Sequence, residues 1–204
     1  MSLLWRASFV LSGLLILIGG PRHPGGTMAQ MLAHPQWVPS HAFMLAGFTA
    51  LLIGLLARGR SGPRSPALRR WLTLAIAGTA LQTVEMALHT AAYVDLANLL
   101  AGRSTPVLTA HLSVTPLFYP IFGVTVAGWI AAAARERAVG SAWIAWIGIV
   151  GVLAHGAAGV LVPVFALEWA RVLFPMVVLL AVWSILAGLW PARAGEPATM
   201  QSAD

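Results

Sequence analysis

The sequence predicts an all-α fold, an integral membrane bundle of six transmembrane helices. The chain has 204 residues, of which 59% are hydrophobic and only 9% charged. Soluble domains run at roughly 45–50% apolar and about 25% charged. Mean hydropathy is +0.83. Six stretches reach the ~20 mainly apolar residues that a helix needs to cross the hydrocarbon core; they lie at roughly 3–20, 38–57, 71–94, 107–133, 142–162 and 167–190. A soluble domain, a disordered chain and a nucleic-acid-binding module are excluded. The net charge of +6 comes from a few arginines beside very few acids and makes no basic surface.

The first stretch follows Arg6 and ends at Gly19-Gly20-Pro21-Arg22 with no small-x-small cleavage site, so a retained helix is expected. The connection 21–37 is rich in Pro and Gly; the others are short, which favours one compact bundle over 1–190. Residues 191–204 read as a polar, disordered tail. Pro116 and Pro120 inside the fourth span, and Pro175 in the sixth, remove backbone donors and predict kinks. Trp37, Trp143, Trp169 and Trp190 sit near span ends and read as interfacial anchors.

Orientation follows from the arginines. Arg6, Arg58, Arg60, Arg64, Arg69, Arg70, Arg135, Arg137 and Arg193 fall on one side; Arg22, Arg103 and Arg171 fall on the other. The excess of arginine places the first side in the cytoplasm. The expected location is a bacterial cytoplasmic membrane with both termini cytoplasmic.

Two absences narrow the chemistry. Without cysteine there is no disulfide, thiolate metal site, iron–sulfur cluster or C-x-x-C-H haem attachment. All twelve basic residues are Arg, so no lysine imine can form.

Histidine is the positive signal. Each of the four central spans carries one: His41, His89, His111 and His155. Ionisable groups at membrane depth are costly and mark function by default. With alternating helix directions, all four fall in the outer leaflet, within a band of roughly 10 Å. His41 to His89 spans 48 residues and His111 to His155 spans 44, which suggests two parallel helix-hairpin repeats. His23 and His34 lie in the outer connection, where Met28, Met31 and His34 could bind a soft ion such as Cu(I); the competing reading is an amphipathic loop lying on the membrane.

Glu85 is the one acid deep in a span, four residues before His89 on the same helical face. Gln82 and Tyr93 extend that polar edge. Glu85 therefore reads as the catalytic candidate, either as a metal ligand or as a carboxylate that orients a ligand and carries protons; the competing reading is a structural hydrogen bond to a neighbouring helix. Gly151 and Gly159 flank His155 at i−4 and i+4 and would let a flat ligand approach the backbone; the competing reading is tight helix packing. Arg103 and Arg171, at the level of the histidines, could bind haem propionates, with a local Glu168 pair as the alternative for Arg171.

Six helices with one histidine on each of helices two to five resembles the cytochrome b561 family, b-type cytochromes whose paired histidines hold two haems. The resemblance covers residues 38–162 through histidine count and helix order. It implies His41, His89, His111 and His155 as haem b ligands. In that family the two haems lie toward opposite faces; here all four histidines lie toward one face, which implies a single site or two haems side by side.

Three functions follow as expectations. The first is a haem b protein that exchanges electrons with a quinol or an extracytoplasmic partner. The second is a non-haem Zn, Cu or Fe site in an intramembrane hydrolase or oxidase, with His41, His89, His111 and His155 as ligands and Glu85 assisting. The third is a transporter or sensor that uses histidine protonation.

Overall fold

The computed structural model describes residues 2–62 and 65–190. Arg64, Arg193 and the expected tail 191–204 lie outside the described residues. Helices α1 (Ser2–Gly19), α3 (Trp37–Arg60), α4 (Pro66–Ala91), α6 (Pro106–Arg135) and α7 (Ala142–Leu161) are each long and apolar enough to cross a membrane. The sixth crossing runs over Glu168–Leu189 in two pieces, a 3₁₀ segment Glu168–Met176 and then α8 (Val177–Leu189). Pro175 lies at that change of winding, because its missing N–H and its ring are incompatible with an uninterrupted α-helical ladder. Pro116 and Pro120, by contrast, lie within an α6 that stays continuous for 30 residues. The connections add two short helices, α2 (Met28–Ala33) and α5 (Leu96–Leu100).

The protein is thus an all-α membrane bundle. Its spans pack in a closed order, α1 on α3, α3 on α4, α4 on α6, α6 on α7, α7 on α8 and α8 back on α1. A hydrophobic stripe on every helix faces inward, while Leu117, Val124, Val150, Leu153 and Leu189 face lipid. Toward the end that holds both the start of α1 and the end of α8, the interior is filled by aromatic rings. Phe9 meets Trp129 at 5.7 Å and Trp183 at 5.7 Å, and the two indoles meet edge-on at 5.6 Å. Arg6 closes this end by donating to the carbonyls of Gly188 and Trp190, satisfying orphan acceptors of α8.

The opposite end is tied differently. Thr27 and Gln30 form a capping box that starts α2. Buried Asp95, in the 3₁₀ turn after α4, accepts from Leu108 N at 2.9 Å and so caps α6 from a distance. That bond fixes the start of α6 against the end of α4 and sets His111 beside His89. Leu32, Trp37, Ala92 and Leu108 pack into a small separate cluster that covers this end.

Candidate metal centre

Three of the four expected histidines converge. The ring centroids of His41 and His89 lie 4.3 Å apart, and those of His89 and His111 lie 4.2 Å apart. His155 does not join them, and His23 does, 4.8 Å from His41 and 6.0 Å from His89. His34 stays apart and accepts from Gln36 N at 3.1 Å through Nδ1.

Glu85, fully buried, is the focus of the inner part. Its Oε1 lies 2.9 Å from His111 Nδ1 and 3.8 Å from His89 Nδ1. The Thr115 hydroxyl reaches the same oxygen at 3.1 Å and Gln82 Nε2 donates to Oε2 at 3.0 Å. The i, i+3 and i, i+4 spacings along α4 put Gln82, Glu85 and His89 on one inward edge, as the helical period requires. Tyr93 leaves that edge. The chain has turned into the 3₁₀ segment Ala92–Asp95 there, and Tyr93 is 46% exposed, so it does not extend the stripe as expected.

The outer part is set by α3. His41 Nδ1 donates to the Trp37 carbonyl at 2.6 Å. A carbonyl can only accept, so Nδ1 carries the proton and Nε2 keeps its lone pair. That Nε2 is buried without a partner, as are His89 Nδ1, Gln82 Oε1 and Trp37 Nε1. Orphaned polar atoms are expensive in a membrane interior; these four lie together here, while others, His155 Nε2 among them, are spread through the bundle. Trp37, expected as an interfacial anchor, is 2% exposed and lies over the site, its ring 4.1 Å from His41 and 5.0 Å from His89. Trp143 and Trp169 are exposed near span ends as an anchor requires.

Among the described residues, two sets of three side chains have ligand atoms within 4.8 Å of one another: His23, His41, His89 and Glu85, His89, His111. Imidazole with a single carboxylate suits Zn, Cu or Fe. A bis-histidine haem needs two nitrogens about 4 Å apart on opposite sides of a flat plate. These rings instead lie against one another with no gap for a porphyrin.

His155 has its own surroundings. Nδ1 donates to the Phe174 carbonyl at 3.1 Å, and the ring packs on Tyr119 at 4.7 Å, with Phe174 at 6.1 Å and Phe48 at 6.4 Å. Gly151 and Gly159 do not open a slot beside it. A Cβ on Gly151 would lie 2.6 Å from Leu180 N, and one on Gly159 would strike the Tyr119 ring. Both glycines serve close helix packing, the alternative reading of the motif. The two expected propionate binders are held locally. Arg103 donates to Asn98 Oδ1 at 3.1 Å, and exposed Arg171 pairs with Glu168 at 2.7 Å.

Sequence reasoning missed two members of this neighbourhood, Thr115 and Trp37, and left the part of a third, His23, open. Thr115 stands four residues after His111, a spacing that could have found it. Trp37 stands four residues before His41, the same interval in the other direction. His23 follows the end of the first span and carries no local signal beyond its level in the membrane.

Compared with family models, curated proteins and solved structures, the chain matches none.

Proposed function

We propose that this protein is an integral membrane metalloprotein whose outer-leaflet centre binds one Zn, Cu or Fe ion through Glu85, His89 and His111. The observation that carries the reading is the convergence on Glu85 Oε1 of His111 Nδ1 at 2.9 Å and His89 Nδ1 at 3.8 Å. A carboxyl buried in a membrane is either protonated or paired with a counter-charge, and a cation bound among these atoms would supply the second. A ligating nitrogen must be unprotonated, so the ion takes the place of the proton that Nδ1 shares with Oε1. Gln82 and Thr115 hold the carboxylate in position, as supporting partners of a metal ligand do.

Bound there, the ion supplies Lewis acidity if it is Zn and electron transfer if it is Cu or Fe. The first case makes the protein an intramembrane hydrolase and the second an oxidase of a membrane quinol or an extracytoplasmic donor. Both termini lie in the cytoplasm on the arginine asymmetry, and the centre lies toward the outside. A reporter fused after Asp204 is active only on the cytoplasmic side in this orientation; activity only outside reverses it.

Elemental analysis and an absorption spectrum of the purified full-length protein test the reading together. The expected result is about one equivalent of one of these ions and no Soret band, with affinity lowered roughly 10–100-fold in Glu85→Gln. A Soret band lost on replacement of His41, His89 or His111 overturns the reading in favour of haem b.

A further inference from the structure

The two triads share His89, and they differ in exposure and charge. In the outer one, His23 is exposed on the connection just beyond the first span. His41, beside it, is fully buried and offers an unpartnered Nε2 whose tautomer is fixed by the Trp37 carbonyl. The three histidines contribute no negative charge. The inner triad adds the buried carboxylate of Glu85. Between them stands the His89 ring, 4.3 Å from His41 and 4.2 Å from His111.

A dication in a low-dielectric interior is more stable beside a carboxylate than among neutral imidazoles alone. The two triads draw on the same His89 ring, and only one carboxylate lies among them, which favours one ion over two. The arrangement is therefore a sequence of positions for one ion, downhill from the exposed end to the buried end.

We propose that His23, His41 and His89 form a capture site that takes the transition-metal ion from the outer aqueous face and passes it to Glu85, His89 and His111, with His89 a ligand in both positions. The inference rests on the metal-centre reading above. The transfer is a ligand exchange: bonds to His23 and His41 break as bonds to Glu85 and His111 form, with no change in oxidation state.

The test uses full-length protein in nanodiscs, stripped with a chelator and reloaded with Co²⁺, whose visible absorption reports coordination. Wild type is expected to bind one equivalent. His23→Ala is expected to bind the same equivalent with the same affinity, but to load about tenfold more slowly or worse, a loss typical of a removed ligand partner. Release to chelator slows by the same factor, because the resident state is untouched. His23→Asp, which restores a metal-binding oxygen, recovers much of the rate. Loading of His23→Ala at the wild-type rate overturns the proposal. So does a wild-type stoichiometry of two that falls to one in His23→Ala, which makes the outer triad a permanent second site. The centre reading fails separately, when Glu85→Gln and His111→Ala leave Co²⁺ affinity unchanged.

Discussion

His89 and His155 begin alike and end differently. Each stands toward the same end of its helix, and each is the one histidine of its span. Around His89 the fold assembles two further imidazoles within 4.3 Å and a carboxylate oxygen at 3.8 Å. Around His155 it assembles Tyr119, Phe174 and Phe48, and the one polar contact is to a backbone carbonyl. Depth alone therefore does not assign a membrane histidine. What separates the two is Glu85: a buried carboxylate draws donors and cations toward itself, whereas a ring among aromatics needs only its N–H satisfied.

The comparison breaks most visibly through the ion. Glu85→Leu removes the shared acceptor and leaves two imidazoles without a carboxylate, so bound metal should fall by about two orders of magnitude in affinity or be lost. His155→Phe should retain the full complement. Metal content after size-exclusion chromatography reads both, and loss of the ion in His155→Phe would make the two histidines one site.

Stability should divide the same regions in the other direction. Gly159→Leu drives a side chain into Tyr119 at the α6–α7 contact, an overpacking worth about 1–3 kcal/mol. Its Tm should drop while the metal content stays at the wild-type level. A smaller decrease is expected for His155→Phe, which loses one hydrogen bond of about 0.5–1.5 kcal/mol and keeps an aromatic ring in place. A fall in Tm larger than that of Gly159→Leu would show that His155 carries more than its bond to Phe174.

The smallest effects should come from the two outer arginines. Arg103→Ala and Arg171→Ala remove local, exposed contacts and should lie within about 0.5 kcal/mol of wild type. Neither should alter metal content. A loss of the ion in either variant would place that guanidinium at the centre despite its local partner.

Much of this was legible along the chain, for reasons that are local. Glu85 and His89 share a face because four residues make about one helical turn. His41, His89 and His111 share a depth because the helices alternate in direction and each histidine has a fixed distance from a helix end. Pro175 marked the break in the sixth span, since its effect on the ladder is a property of one residue. The misreadings arose where a residue's partner lies on another helix. Trp37 occupies a span end, as an anchor would, yet it packs inward because His41 and His89 are beneath it. Gly151 and Gly159 leave the space that a ligand would need, yet α8 and Tyr119 fill it.

Composition and periodicity by themselves determined a six-span bundle, because the bilayer demands apolar length and internal backbone bonding whatever the neighbours. They also determined that the histidines of the spans lie toward one end of the bundle, since depth follows from counting along each helix. Helix rotation and neighbour order were decided only in three dimensions. Glycine contacts of α7 with α6 and α8 turn His155 toward Tyr119 and Phe174, while the Asp95 cap brings α6 against α4 and joins His111 to Glu85. Those are relations between distant segments, set by packing and by the need to satisfy buried polar groups, and no single helix encodes them.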